Sequence, residues 1–212
     1  MAFRLSSQGY RDLAALEGNI RYVYDDRTGK PLSSYESAVG FPTIGLGVLI
    51  DTPEKREMFR PYLNGVQASA SFIDQVNQSL ITKWEDTLNA ALSGAKLTQS
   101  MFDALFSLAW NTGVNSKWVQ SVIANIRVGD YGSAALAIAN GPITSGGSVI
   151  AGLVTRRAKE AARFVADGVP GSLSAAARKF LTANTALIVL STMVVGTGLY
   201  LALSAPESKA RA

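Results

Sequence analysis

Two acidic sites and one hydroxyl near the N-terminus have the types and spacing that could support chemistry. Glu17 closes an amphipathic segment, and the pair Asp25-Asp26 follows eight or nine residues later. Thr43 then stands just before a Gly-x-Gly turn. Two carboxylates in different surroundings can act as the acid and the base of one centre, and a neighbouring hydroxyl can hold the group on which they act. Together these residues predict a site that opens onto a cleft.

The composition of the 212-residue chain points to the same carboxylates. It has no histidine and no cysteine, which excludes Ser–His and Cys–His catalysis, disulfides and the usual zinc ligands. Acid–base work therefore falls to Asp, Glu, Lys or Tyr, and no metal or cofactor is expected. The 20 Lys and Arg residues against 16 Asp and Glu give a net charge of +4, without a basic run dense enough to predict nucleic-acid binding.

A short helix must position Glu17. The sequence predicts it over residues 8–17, with Ser6 or Ser7 as the N-cap and Gly18 as the stop. The helix dipole disfavours a negative charge at the C-terminal end of a helix. This placement would help to keep Glu17 protonated, as a general acid requires.

Two strands are predicted on either side of a polar stretch. Residues 20–25 are rich in β-branched and aromatic side chains, and residues 42–50 form the second strand, whose glycines indicate a bulge or a close backbone approach. Because side chains alternate across a strand, Asp25 and Asp26 should face opposite sides. The stretch 30–41 between the strands is predicted to be a loop or a hairpin extension.

The rest of the chain up to about residue 165 is predicted to be mostly helical, so the fold class is α+β. A cap at Thr52 and a proline after it start one helix. The other expected helices cover residues 70–92, 98–111, 117–127, 131–140 and 152–164. The longest of them repeats apolar side chains every four residues, at Phe72, Val76, Leu80, Trp84 and Leu88. The stretch 141–148 is predicted to be a loop.

The C-terminal segment has a different character. No charged residue occurs from Phe180 to Pro206, and residues 187–203 are almost wholly apolar. A bilayer-spanning helix needs roughly 20 apolar residues. We therefore expect three further segments: a linker at 166–180, a transmembrane helix at 181–205 and a short polar tail at 206–212. The alternative is a buried core helix. The N-terminus has no apolar run and is not expected to be a signal peptide.

Three separate segments carry a resemblance to a known family. The first comprises Glu17-Gly18, Tyr24-x-Asp26-x-x-Gly29 and Thr43-Ile-Gly-x-Gly47. The second comprises Leu97-Thr98-x-x-x-Phe102-Asp103-Ala104-Leu105 and Asn111-x-Gly113, and the third is Gly152-Leu153-x-x-Arg156-Arg157-x-x-Glu160. In this order, across about residues 8–165, they resemble the phage lysozyme family, glycoside hydrolase family 24.

The resemblance implies a two-lobed lysozyme-like fold, with a small N-terminal β-sheet lobe and a helical C-terminal lobe on either side of a cleft. It also implies hydrolysis of the β-1,4 bond between N-acetylmuramic acid and N-acetylglucosamine in peptidoglycan. Such a reaction needs a proton for the leaving oxygen and an activated water on the opposite face of the sugar.

Specific roles follow from the matched positions. Glu17 would be the general acid, Asp26 the general base toward water, and Thr43 the residue that holds this water. Asp25 is the rival for the role of Asp26. The resemblance also makes three residues candidates for contacts in the substrate cleft: Tyr24, Asn111 and Gly113.

Two features depart from the family pattern. The stretch 30–41 is longer than the family's tight hairpin, and it could lengthen the sheet or form a flap over the cleft. Val48 follows the Gly-x-Gly turn at a position where members often have histidine. A stabilising pair made by that histidine would be lost here.

Several other residues have packing interpretations that compete with substrate binding. Trp110 and Trp118 are expected to pack in the core, with stacking on sugar faces as the alternative. Arg156 and Arg157 are expected to pair with acidic residues of the C-terminal lobe. Core packing is also expected for three apolar residues of the helix at 98–111, which are Phe102, Leu105 and Phe106.

The expected partners are peptidoglycan glycan strands, a lipid bilayer through the C-terminal helix, and other phage virion or lysis proteins, but no nucleic acid. The protein would be membrane-associated, in the host inner membrane or in a virion, and would act on the periplasmic cell wall at lysis or at entry. Two alternatives remain open: a lytic transglycosylase acting on the same bond, and a non-catalytic virion or wall-binding protein.

Overall fold

The computed structural model describes residues 2–145 and 147–168, which form helices and two small antiparallel sheets. The fold is α+β, as predicted, and divides into two compact units whose boundary lies between Ser93 and Gly94. No helix within the described ranges is long and apolar enough to cross a membrane. The transmembrane helix expected at 181–205 and the tail after it lie outside the described residues.

The first unit combines helices with a three-stranded sheet. Its elements are α1 Ser7–Glu17, β1 Ile20–Asp25, β2 Pro42–Gly45, β3 Val48–Leu49, α2 Pro53–Phe59 and α3 Ala70–Ala91. Ser6 caps α1, because its Oγ accepts a hydrogen bond from the N–H of Gly9 at 3.0 Å. Gly18 ends α1 with a left-handed φ of +86°. Both predicted ends of this helix are confirmed.

The sheet has the order β1-β2-β3, and all its neighbouring strands are antiparallel. The expectation of one continuous strand over 42–50 is wrong, because the chain reverses between β2 and β3. Gly45 and Gly47 make this reversal possible with φ values of +66° and +97°, which residues with a side chain rarely adopt. A Cβ at Gly45 would also come within 2.2 Å of the Oδ1 atom of Asn77.

The buried face of α3 lies one residue away from the predicted apolar stripe over most of the helix, and the two coincide at Leu88. Its buried residues are Ile73, Asn77, Ile81, Glu85 and Leu88. Three residues of the predicted stripe, Phe72, Val76 and Leu80, are only partly buried against the core. Two polar side chains are buried on this face because both have partners: Asn77 accepts from the N–H of Leu46 at 2.9 Å, and Glu85 accepts from the N–H of Leu5 at 2.7 Å.

The stretch 30–41 packs onto the first unit. Leu32 is buried, its N–H donates to the carbonyl oxygen of Val23 at 3.0 Å, and its carbonyl accepts from Asn64 at 2.8 Å. Pro31 forms an isolated antiparallel bridge with Tyr24. This bridge confirms the expectation that the stretch extends the sheet, by a single residue pair. The alternative of a flap over the cleft stays a prediction.

The second unit is built from helices α4 Gln99–Thr112, α5 Lys117–Arg127, α6 Tyr131–Ala139 and α7 Ala151–Phe164. The expected loop at 141–148 is instead a small hairpin, with strands β4 Thr144–Ser145 and β5 Ser148–Val149. Helix α4 supplies much of the core, and the packing interpretation of its apolar residues Phe102, Leu105 and Phe106 is confirmed, since all three are buried. Asp167 ties the end of the described chain to α4 by accepting from the N–H of Ser100 at 3.0 Å.

Candidate active site

The predicted acid lies where α1 meets β1. Glu17 is the last residue of α1 and is half-buried. The N–H of Gly18 donates to the carbonyl of Ala14 at 3.1 Å, and the left-handed backbone of Gly18 then turns the chain toward β1. Helix capping therefore positions Glu17 close to the start of the strand that leads to Asp26.

Tyr24 lies within electrostatic reach of both predicted carboxylates. Burial is the main cause that raises the pKa of its phenol, and the negative charges of Asp26 and Glu17 raise it further. Such effects between charges fade over about 8 Å in physiological salt, so Glu17 and Asp26 each lie in the neighbourhood of Tyr24. Tyr24 is also the register partner of Thr43. The structure thus brings together Tyr24, Asp26 and Thr43, and it places Glu17 within electrostatic range of Tyr24.

Asp25 is a structural carboxylate. It is only 2% exposed, and its two oxygens accept from four backbone N–H groups, those of Arg27, Thr28, Val39 and Gly40. These hydrogen bonds, chiefly that of Gly40, lower the pKa of Asp25 to about 2. Its oxygens bind the turn after β1 to the end of the 30–41 stretch, which leaves Asp25 poorly suited to act on water.

Asp26 faces the other way, as the strand alternation predicted. Its side chain is exposed, and its Oδ1 accepts from the N–H of Phe41 at 2.7 Å. The backbone N–H of Asp26 donates in return to the carbonyl of Phe41 at 3.1 Å. An exposed carboxylate held by a backbone N–H is suited to a general base, because it is both oriented and accessible to water.

Thr43 is tied to the same carbonyl. It is 1% exposed, and its Oγ1 donates to the carbonyl oxygen of Phe41 at 3.0 Å. Since a hydroxyl has one proton, Thr43 can only accept a hydrogen bond from any further partner. A water beside it would therefore donate to Thr43.

Gly40 allows the chain to approach Asp26 closely. A Cβ at this position would lie 2.1 Å from the Oδ1 atom of Asp26 and 2.9 Å from the Cβ of Arg27. Any residue larger than glycine would displace the carboxylate from its bond to Phe41. The end of the 30–41 stretch is thus part of the site.

Asn77 joins the loop that follows Glu17 to the turn that follows Thr43. Its Oδ1 accepts from the N–H of Leu46 at 2.9 Å, and its Nδ2 donates to the Oδ1 of Asn19 at 2.8 Å and to the hydroxyl of Tyr10 at 3.0 Å. A buried amide with all these partners holds the two segments in register. Asn77 is not among the residues predicted from the sequence. Its position midway between Ile73 and Ile81, at helical spacing on the buried face of α3, is the feature that could have identified it.

In the second unit, Asn111 and Gly113 have different functions. Gly113 ends α4 with a φ of +88°, and its N–H donates to the carbonyl of Ala109 at 2.7 Å. Asn111 is exposed, and its Oδ1 accepts from Nη2 of the buried Arg157 at 2.7 Å. The amide nitrogen of Asn111 therefore points away from Arg157 and is suited to donate to a ligand.

A pocket of about 390 Å³ adjoins Asn111. Its walls come from the end of α4, the start of α5, the hairpin and α7, and include Asn111, Ser116, Lys117, Trp118, Thr144 and Leu153. Trp118 is half-buried, and Lys117 covers its ring with Nζ 4.9 Å from the centroid. Trp110 instead stacks on Phe106 at 5.8 Å. Core packing is thus the main use of Trp110, whereas Trp118 lines a pocket.

Arg156 and Arg157 pair with an acid inside the second unit, as expected. Both contact Glu160, at 3.1 Å and 3.0 Å, and Ser107 donates to Glu160 at 2.6 Å. Burial raises the pKa of Glu160 and lowers that of Arg157. The cluster fixes Arg157 and, through it, Asn111. Among residues 2–145 and 147–168, no group of three or more acidic side chains is arranged to hold a metal ion.

Comparisons with known proteins agree with this fold. The endolysin of Bacillus phage PZA is 41% identical over 91 residues, which is 42% of this chain and 33% of that protein, so the match spans about a third of its length. An endolysin from Escherichia coli O157:H7 phage FAHEc1 superposes with a TM-score of 0.56 at 24% identity, over 81% of this chain and 99% of that one. A mutant of P22 lysozyme superposes with a TM-score of 0.57 at 24% identity, over 76% of this chain and 98% of that one.

These two structural matches establish the likeness of fold alone. The sequence pattern of the family described as phage lysozyme matches residues 26–160. This range starts at Asp26, so the position of Glu17 is known only from the chain's own residues and geometry. It covers well over half of the chain, including parts of both described units, and the chain therefore belongs to the phage lysozyme family.

Proposed function

We propose that this protein is a peptidoglycan hydrolase that cleaves the β-1,4 bond between N-acetylmuramic acid and N-acetylglucosamine in the course of phage infection. The observation that carries the proposal is the grouping of Asp26 and Thr43 on one backbone carbonyl, with Glu17 in the same electrostatic environment. Membership of the phage lysozyme family and similarity to a phage endolysin support it.

Glu17 supplies the proton in this proposal. Departure of a sugar hydroxyl requires protonation of the glycosidic oxygen, and a carboxyl group at the end of a helix can provide it. The half-buried position of Glu17 limits its contact with water. Tyr24, whose raised pKa keeps the phenol neutral, lies within electrostatic range of both carboxylates.

Asp26 and Thr43 act on the attacking water. The water donates one proton to Asp26 and the other to Thr43, because the hydroxyl proton of Thr43 is already committed to Phe41. As the water attacks the anomeric carbon, Asp26 takes its proton. A separation of about 6.5–9.5 Å between the two carboxyl groups would leave room for this water and lead to inversion.

The second unit contributes contacts to the glycan in this proposal. The pocket beside Asn111 combines an aromatic ring, a lysine and side-chain donors. Saccharide sites commonly pair an aromatic surface with a few placed polar groups. Asn111, oriented by Arg157, and Trp118 are the residues expected to touch sugar.

Attachment to a membrane is a separate proposal that rests on sequence alone. The apolar run at 187–203 has the length of a bilayer span, and a membrane-attached hydrolase would stay close to the wall. Fractionation of cells that express the full chain or a chain ending at residue 168 tests it. The full chain should sediment with membranes and extract with detergent, whereas equal distribution of both chains would refute the attachment.

Zymography and product analysis test the enzymatic proposal. Wild type should clear peptidoglycan in a gel and Glu17→Gln should not, although both fold. Mass spectrometry of the released fragments should show reducing ends that carry one water; anhydro ends would indicate a transglycosylase instead. If wild type and Glu17→Gln clear equally, or if neither clears, the role of Glu17 is wrong.

A further inference from the structure

Two apolar side chains at the end of the 30–41 stretch are unusually exposed. Val39 and Phe41 are 67% and 66% exposed, and they flank Gly40, the residue that lies against Asp26. Large apolar side chains on a soluble unit that are grouped in this way often contact another molecule. Their position next to the candidate base makes the substrate the first partner to consider.

The backbone that carries these side chains is firmly held. The N–H groups of Val39 and Gly40 both donate to Oδ2 of Asp25, and the N–H of Phe41 donates to Oδ1 of Asp26. Three successive amides are therefore each bound to a carboxylate. A side chain on such a segment loses little backbone entropy when a ligand binds, which favours affinity.

Phe41 and Asp26 lie just beyond the paired ends of β2 and β1. The register pairs Tyr24 with Thr43 and Asp25 with Pro42. One further step along this register brings Phe41 next to Asp26: the N–H of Asp26 donates to the carbonyl of Phe41, and the N–H of Phe41 donates to the side-chain carboxylate of Asp26. Side chains of directly opposed residues in an antiparallel pair lie on the same face. The exposed ring of Phe41 thus stands beside the exposed carboxylate of Asp26.

We infer that Phe41 is a sugar-contacting residue, whose ring packs against the apolar face of a pyranose ring in the glycan strand. Asp26 then faces the polar rim of the same sugar. A pyranose offers carbon-bound hydrogens on its faces and hydroxyl and acetamido groups at its rim. The exposed aromatic ring of Phe41 is suited to the apolar faces of the sugar, and the exposed carboxylate of Asp26 is suited to the hydroxyl and acetamido groups at its rim. This inference rests on the proposed function, because it takes the glycan as the ligand of the Asp26 face.

The inference extends the role of the 30–41 stretch. Asp25 holds the stretch in place, Gly40 brings it against Asp26, and Phe41 presents a ring to the substrate. Phe41 is then a specificity-determining contact that affects binding of the sugar more than the bond-breaking step.

Binding of an N-acetylglucosamine hexamer to the full chain in detergent provides the test. The Glu17→Gln background prevents turnover, and isothermal titration gives the dissociation constant. We expect Phe41→Ala to weaken binding roughly threefold to tenfold and Phe41→Trp to keep it within about twofold. Met58→Ala, which removes a side chain of similar exposure (55%) from α2, is the matched control and should leave binding unchanged. Thermal melting should be alike for all four proteins.

Turnover separates this inference from the proposed function. In the protein that retains Glu17, Phe41→Ala should raise KM for soluble glycan fragments by the same roughly threefold to tenfold by which it weakens hexamer binding. The kcat should stay within about twofold of the wild-type value. Equal hexamer binding by wild-type Phe41 and Phe41→Ala would overturn the inference even if the enzyme cleaves peptidoglycan. If Phe41→Ala weakens hexamer binding but the wild-type protein cleaves no peptidoglycan, the inferred contact between Phe41 and sugar stands and the proposed hydrolase activity is refuted.

Discussion

Asp26 and Thr43 are joined through one backbone oxygen, the carbonyl of Phe41, which accepts from the N–H of Asp26 at 3.1 Å and from Oγ1 of Thr43 at 3.0 Å. The candidate base and the candidate water-holding hydroxyl are therefore placed by the same atom. Because Phe41 also donates its N–H to Asp26 Oδ1, any movement of Phe41 moves both groups together.

Replacement of Thr43 tests the hydroxyl. Thr43→Val keeps the shape but removes both the bond to Phe41 and the acceptor for water, and we expect kcat to fall about 100-fold. Thr43→Ser restores the hydroxyl and should recover most of this loss. Steady-state kinetics on soluble glycan fragments provide the measurement. Equal rates for the valine and serine variants would show that the hydroxyl has no part in the reaction.

Asp25 and Asp26 should give opposite phenotypes. Asp26→Asn should lower kcat by about 10²–10⁴ and change the melting temperature little, because the side chain is exposed. Asp25→Asn should lower the melting temperature markedly, because its oxygens hold four backbone amides. Circular dichroism melts beside kinetics separate the two. A stable but inactive Asp25→Asn would instead favour Asp25 as the base.

The low pKa of Asp25 predicts a dependence of stability on pH. An Asp in an unfolded chain has a pKa of about 3.9, and in the folded protein the pKa of Asp25 is about 2. The depressed value means that the folded state favours the carboxylate, so the contribution to stability is complete above about pH 4 and is lost as the pH falls toward 2. Asp25→Asn should flatten the decline in melting temperature between pH 4 and 2, relative to wild type.

Local signals made much of this arrangement predictable. Ser6 and Gly18 cap the two ends of α1, as the capping rules require, and Glu17 therefore lies at the end of a helix. From sequence alone, the two-residue period of a strand separates the side chains of Asp25 and Asp26. These features depend on neighbours within a few residues along the chain, so the sequence carries them directly.

Contacts between distant residues were not predictable in the same way. The bonds from Asp25 to Val39 and Gly40 span 14 and 15 residues, and they give the 30–41 stretch its structure. Asn77 lies 31 residues from the turn that it holds. A polar residue counts against burial in a periodicity analysis, and for this reason the predicted face of α3 was displaced by one position everywhere except at Leu88.

Asn77 should affect both stability and turnover. Asn77→Leu would leave the N–H of Leu46 and the carboxamide oxygen of Asn19 without their partner, and we expect a loss of about 1–3 kcal/mol of unfolding free energy. Because the loop after Glu17 and the turn after Thr43 would lose their link, kcat should fall more than KM rises. Asn89→Ala on the same helix, which removes the two hydrogen bonds between Asn89 and the backbone of Phe3, is the control and should leave kcat unchanged. A loss of stability with unaltered kcat would assign Asn77 a purely structural role.

The buried ion-pair cluster of the second unit should be a major determinant of stability. Glu160→Ala leaves Arg157 buried without its carboxylate, and removing one partner of a buried pair costs about 3–5 kcal/mol. Glu57→Ala breaks an exposed pair with Arg60 of similar length, 2.8 Å, and should cost at most about 1 kcal/mol. Urea unfolding of the two variants measures both values. Similar losses for the two pairs would contradict the importance assigned to burial.

The two tryptophans near the end of α4 and the start of α5 should separate packing from binding. Trp110 stacks on the buried Phe106, and Trp110→Ala should lower the melting temperature by about 4–8 °C through lost core contacts. Trp118 lines the pocket beside Asn111, so Trp118→Ala should raise KM for glycan fragments roughly threefold to tenfold with a much smaller effect on melting. Lys117→Met, which removes the charge above the Trp118 ring but keeps an apolar chain, distinguishes stacking on the ring from attraction to the lysine. If KM changes in Lys117→Met and not in Trp118→Ala, the pocket recognises a negative charge on the substrate and not a sugar face.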